Sequence, residues 1–178
     1  MTSPLWQQTG GVWPLGVSSS VTWLDLGAIA HILQTAGIKT VLEIGVEHGG
    51  LSAWLMAYGR YNAIAYRGID ITLNALQTRV GVVDRSAFVE RDAWTAEAVE
   101  DARQWLSSQP APALIICDGG DKPKELHLYA PLLRAGDVMV GHDYHNEYSD
   151  EHIADVGAEQ VFTDWLSDTL LCCFVRRY

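Results

Sequence analysis

The stretch Thr40-Val-Leu-Glu-Ile-Gly-Val-Glu-His-Gly-Gly50 constrains this chain more than any other. An apolar strand carries one acid near its end, Glu43, and runs into glycines at 45, 49 and 50 before a helical stripe resumes. Gly45 can take a positive φ and has no Cβ, so a ligand can approach the backbone of the turn, while Gly49 and Gly50 open the helix. The spacing Glu-x-Gly-x-x-x-Gly is not the Gly-x-Gly-x-x-Gly of dinucleotide binders, which disfavours a nucleotide-dependent oxidoreductase. A small-molecule cofactor is expected at this bend.

The rest of the chain alternates in the same way. A helical pattern begins at Ser20 with Leu26, Ile29, Ala30 and Leu33 on one face and stops at Gly37. Strand one follows over 40–44. Leu51, Trp54, Leu55 and Tyr58 form the next helical stripe, ending at Gly59, and residues 63–69 read as a strand terminating in Asp70. A helix is expected from Thr72 to Gly81, then a short strand over 86–89 and a helix capped by Thr95. Residues 113–117 are a wholly apolar strand ending in Asp118; a helix carries Leu126, Tyr129 and Leu133 to Gly136, and 138–140 is the fifth strand. A polar segment over 144–157, a helix over 159–166 and one closing strand over 170–175 complete the reading. Five βα alternations predict an α/β fold: a Rossmann-like, doubly wound, mostly parallel sheet flanked by helices, in a single domain with a simplified C-terminal part. Residues 1–20, with Trp6 and Trp13, read as a Trp-rich arm; residues 21–178 form the domain. The arm folds over its own domain or serves as a lid or dimer contact.

Composition narrows the function. Twelve basic against 22 acidic residues give a formal charge of −10 over 178 residues, and no basic cluster would overcome the repulsion of a phosphate backbone. Lys122 with Lys124 and Arg176 with Arg177 read as solvated helix and chain ends. A small acceptor, neutral or cationic, is expected rather than nucleic acid. Cys117, Cys172 and Cys173 all lie in apolar runs, where thiols act as small hydrophobes. No Lys or Arg precedes Lys39 and no apolar run reaches bilayer-spanning length, so the expectation is a cytoplasmic protein without a membrane partner.

Ligands of open α/β sheets bind beyond the carboxyl ends of the strands, and this chain puts acids at nearly all of them. Glu43, Asp70, Asp92, Asp118 and the pair His142-Asp143 end or follow strands one to five in turn. Buried carboxylates there are costly unless paired or coordinated. Asp70 either grips a ribose diol or caps the next helix. Asp92-Ala93 is either an adenine-contacting pair or an ordinary turn. Glu43 orients the cofactor or hydrogen-bonds the amides of the glycine loop.

The glycine bend resembles motif I of class I S-adenosylmethionine-dependent methyltransferases. The later segments Ile116-Cys-Asp-Gly-Gly-Asp-Lys-Pro-Lys-Glu125 and Tyr129-Ala-Pro-Leu-Leu-Arg-Ala-Gly-Asp-Val-Met-Val-Gly-His-Asp-Tyr144 are similar to those of the macrocin and cephalosporin-cluster small-molecule O-methyltransferases. The resemblance covers roughly residues 40 to 144. It implies S-adenosylmethionine as cofactor, bound by Glu43, Gly45, Gly49, Asp70, Ile71, Asp92, Ala93 and Asp118, and a small hydroxylated acceptor such as a sugar or secondary metabolite. It implies a divalent cation on Asp118, His142 and Asp143, with Mg²⁺ suited to the carboxylates and Mn²⁺ to a set containing imidazole. The same three residues are the catalytic candidates, His142 alternatively as general base. Many relatives carry histidine where this chain has Asp121. That departure, with a single closing strand, leaves open a cofactor-binding regulatory or assembly protein without transferase activity, or a homo-oligomer whose second subunit completes the site.

Overall fold

A computed structural model of the chain describes residues 14–76 and 83–177. Seven strands form one sheet in the order β3-β2-β1-β4-β5-β7-β6: β1 Thr40–Ile44, β2 Ala65–Asp70, β3 Phe88–Glu90, β4 Ala113–Cys117, β5 Val138–Gly141, β6 Ala158–Val161 and β7 Cys172–Arg176. The first five are parallel; β7 runs antiparallel to both β5 and β6. The helices are α1 Trp23–Thr35, α2 Gly50–Asn62, α3 Ala96–Ser108, α4 Lys122–Tyr129, α5 Asp150–Asp155 and α6 Thr163–Leu166. None among the described residues is long and apolar enough to cross a membrane.

The period-two geometry of strands sorts each central apolar run onto two faces. Leu42, Ile44, Ile115, Cys117, Met139 and Phe174 face a layer containing Ala102 and Leu106 of α3 and Leu126 and Tyr129 of α4. Val41, Leu114, Ile116, Val138, Val140 and Cys173 face the opposite layer, with Ile29, Ile32 and Leu33 of α1 and Leu51 and Leu55 of α2. Strands covered on both faces need continuous hydrophobic runs, and β1 and β4 are buried along their whole length. The three cysteines are buried and free of disulfides, and burial pushes their thiols upward.

Both central strands, β1 and β4, have the expected limits. Elsewhere local packing overrides the pattern. Helix α2 passes Gly59 and ends at Asn62 with Ala63 as its left-handed cap, and a Cβ at Gly59 would stand 3.0 Å from the Ile64 carbonyl oxygen. The helix expected from Thr72 is absent over 72–76, and its remainder falls on residues 77–82, outside those described. The helix expected over 159–166 is corrected: Ala158–Val161 pairs with β7 as an edge strand and only Thr163–Leu166 is helical. The C-terminal part thus has two strands rather than one, and is not simplified. Val17 and Val21 are already core residues, so the chain joins the domain before the boundary expected at residue 20, while Trp6 and Trp13 lie outside the described residues.

The buried Asp137 carboxylate ties the start of β4 to the turn before β5. It accepts from the Ala113 amide (2.7 Å), the Arg134 amide (2.9 Å) and Nε of the half-buried Arg134 (2.8 Å). Without it the buried Ala113 amide has no acceptor, which costs about 1–3 kcal/mol. Asp137→Ala is expected to lower stability by about 2 kcal/mol in urea denaturation.

Candidate functional site

The carboxyl ends of β1, β2 and β4 lie side by side, with Ile44 in register with both Ile69 and Cys117. The chain leaves β1 through Gly45 at φ 85°, where a Cβ would stand 2.3 Å from the Asp118 carbonyl oxygen. The loops after β1 and β4 therefore touch backbone to backbone, which only glycine permits. Asp70 holds the bend from the other side: its Oδ2 accepts from the amides of Val46 (2.7 Å) and Glu47 (2.9 Å), and its Oδ1 from Thr72 (3.1 Å). The loop-amide contact considered for Glu43 is thus made by Asp70.

Glu43 is buried and serves the interior of the site. Its Oε2 accepts from Ser52 Oγ (2.8 Å) and from the Tyr66 hydroxyl. Burial pushes its carboxyl up to about 8; the bonds from Tyr66 and Ser52 oppose the rise, and the carboxylates of Asp118 and Asp70 add to it. Burial thus favours its protonated form.

Between these residues lies a cleft of about 380 Å³ lined by Glu43, Gly45, Gly50, Asp70 and Asp118, with Ser18–Ser20 as its far wall. That wall lies directly on α2: a Cβ at Gly50 would stand 2.3 Å from the Ser18 carbonyl oxygen. A smaller cavity of about 100 Å³, lined by Ile71, Asp92, Ala93 and Trp94, adjoins it, and Gly45, Asp70 and Gly119 line both. The Tyr129 hydroxyl donates to the Ala93 carbonyl (2.7 Å) and Asp92 Oδ1 accepts from the Trp94 amide (2.9 Å), fixing the loop beneath the second cavity. Gly49, expected among the ligand contacts, takes the left-handed cap position of α2 instead, and Gly50 lines the cleft.

Asp118, His142 and Asp143 converge at the carboxyl ends of β4 and β5, with one candidate ligand atom from each within 4.8 Å of the others. Two charged groups that the sequence reading did not bring here share the space. Lys122, at the first position of α4, is only 2% exposed; its Nζ stands 3.2 Å from Asp118, 3.7 Å from Asp143 and 3.1 Å from Glu147. The expectation that it is a solvated helix end is corrected. Asp25, the partner of Thr22 in the capping box of α1, is also buried and faces His142 Nε2 at 3.8 Å. The other ring nitrogen of His142 lies 3.5 Å from Asp118 and 3.2 Å from Asp143. Burial alone would lower the imidazole; Asp118, Asp143 and Asp25 outweigh it and push it up to about 12. Asp143 is held below the usual carboxylate range, chiefly by His142. Asp121 caps α4 by accepting from the Lys124 amide (3.1 Å).

Of the residues missed, Asp25 and Lys122 left a trace. Thr22-x-x-Asp25 is a capping-box spacing, and a lysine in the first turn opposes the helix dipole, which calls for a compensating anion. Ser18–Ser20 reach the cleft through tertiary packing and left no signal.

No protein-family model matches the chain, and no curated protein sequence matches it. Solved structures do. The Mg–SAM form of CmcI is 20% identical, with a TM-score of 0.60, over 72% of this chain and 55% of that one. This chain therefore spans little more than half the length of that CmcI chain. The N160 form of CmcI with SAH matches at 15% identity and a TM-score of 0.65 over 91% of this chain and 79% of that one. A Staphylococcus aureus structure described as a caffeoyl-CoA O-methyltransferase matches at 17% identity and a TM-score of 0.62 over 88% of this chain and 85% of that one. At these identities the likeness is one of fold. The strand order, the antiparallel β7 and these matches together make this the class I methyltransferase fold.

Two outcomes are expected at the bend. Gly45→Ala costs about 1–3 kcal/mol from its left-handed backbone alone, read by urea denaturation, and forces the backbone at Asp118 and Gly119 to shift away from the bend. Glu43 holds its proton from its ordinary value of 4.5 up to about 8, so its contribution to stability is whole below the first value and is lost as pH rises through the second. Glu43→Gln should flatten the fall of melting temperature across that window; a slope equal to the wild type would show that Glu43 ionises normally.

Proposed function

We propose that this chain is an S-adenosylmethionine-dependent methyltransferase acting on the hydroxyl of a small acceptor. The observation that carries the reading is the adjacency of the two cavities around the Gly45 bend, which share Gly45, Asp70 and Gly119 as lining. The larger one, floored by Glu43, suits the amino-acid end and ribose. The smaller one, flanked by Ile71, Asp92, Ala93 and Trp94, suits a flat base. The structural likeness to CmcI with SAM and with SAH supports the same ligand. The presence of both closing strands removes one reason for preferring a protein without transferase activity. The charge of −10 favours a small acceptor over nucleic acid.

Asp118 lines the cofactor cleft and also belongs to the charged cluster, so it stands where donor and acceptor meet. In the proposed step the acceptor oxygen attacks the sulfonium methyl in line. The oxygen–carbon bond forms as the carbon–sulfur bond breaks, and sulfur keeps the electron pair as the thioether of S-adenosylhomocysteine. Asp118 accepts the hydrogen bond of the acceptor hydroxyl and takes its proton. Asp143, which contacts His142 and Lys122, positions that carboxylate, and holding the two reactants in line supplies most of the rate.

Calorimetric titration with S-adenosylhomocysteine tests the cofactor, and transfer of a labelled methyl group to a panel of hydroxylated metabolites tests the reaction. Asp143→Asn is expected to slow transfer by about 10²-fold while leaving S-adenosylhomocysteine affinity near the wild-type value. Heat of binding from NADH and none from S-adenosylhomocysteine would end this reading.

A further inference from the structure

The donor set Asp118, His142 and Asp143 does not fit a divalent ion in the arrangement described. A ligating imidazole must offer a lone pair, yet both ring nitrogens of His142 face carboxylates, Nδ1 toward Asp118 and Asp143 and Nε2 toward Asp25. No ring nitrogen faces open space in which an ion could sit apart from these carboxylates. The carboxylates are also already engaged. Lys122 Nζ lies among oxygens from three residues on two segments: Asp118 after β4, and Asp143 and Glu147 in the turn after β5. The turn that presents the last two is fixed by the Glu147 amide, which donates to the Asp143 carbonyl (2.9 Å).

We propose that the Lys122 ammonium is a built-in counter-cation that stands in place of a divalent ion, so that the Asp118–Asp143–Glu147 set is compensated without metal and binds none appreciably. A lysine in the first turn of a helix opposes the dipole, and a buried ammonium loses its hydration. Only strong local anions keep it there, and three lie within 4 Å. Burial would lower the lysine, and Asp118, Glu147 and Glu125 reverse this, so it remains charged. A divalent ion sharing those oxygens would sit within a few ångströms of the Lys122 ammonium, and Mg²⁺ in addition demands a near-octahedral oxygen shell. The relevance of this compensation to methyl transfer rests on the function proposed above; its geometry does not.

Mn²⁺ binding, followed by electron paramagnetic resonance, tests the inference on the wild type, Lys122→Met and the double variant Lys122→Met/Asp143→Asn, with S-adenosylhomocysteine titrated in parallel. The wild type should show no saturable site at millimolar Mn²⁺. Lys122→Met, of similar length without the charge, should gain affinity by at least an order of magnitude, and the double variant should lose that gain. Wild-type binding as tight as that of Lys122→Met, or a folded Lys122→Met with no gain, overturns the proposal. Should Lys122→Met fail to fold, nitrogen-15 NMR of the lysine ammonium groups decides on the wild type. One exchange-protected signal, missing in Lys122→Arg and unbroadened by Mn²⁺, is expected; its absence or its broadening overturns the proposal. Failure of S-adenosylhomocysteine to bind, with the Mn²⁺ results as expected, sinks the methyltransferase reading and leaves the counter-cation intact.

Discussion

The backbone contact between the bend at Gly45 and the loop after β4 is the constraint on which the site depends. Two parallel neighbours, β1 and β4, end at the same level, and their continuations must part to leave room for a ligand. They part only after touching at Asp118 and Gly119, where any side chain on residue 45 would intrude. Asp70 completes the arrangement by binding two amides of the bend from the neighbouring strand. The cleft is thus defined by main chain on one side and by a carboxylate on the other, with little left to rotamer choice.

That geometry was largely legible in the residues themselves. The apolar runs of β1 and β4 admit one reading because strands covered on both faces must be continuous in hydrophobicity. The acids at 43, 70, 92 and 118 stood out because charge is costly at strand ends. What escaped was whatever depends on a partner distant in sequence. Ala158–Val161 contains too few apolar residues to announce a strand and becomes one only because β7 offers a free edge. Asp25 lies more than a hundred residues from His142, and Lys122 looks like any helix-end lysine until the loop from Asp143 to Glu147 closes over it. Ser18–Ser20 carry no chemistry of their own and matter through position alone.

The electrostatics of the site divide into two regimes. Glu43 is buried with hydroxyl donors, and burial favours its protonated form. A few residues away, Asp25 and Asp143 are held below the usual carboxylate range with His142 beside both, and Lys122 stands among Asp118, Asp143 and Glu147. Carboxyls of one site are thus shifted in opposite directions, and the difference comes from neighbours rather than from depth.

The flanks of the sheet carry a separate consequence. Its outermost strands, β3 and β6, have three and four residues, and β6 bears Glu159 beside Arg177. Short, charge-bearing margins expose few unpaired amides and carbonyls, so a second chain would find almost no template for edge-to-edge growth. A protein built around a long hydrophobic centre is thereby kept from polymerising through it.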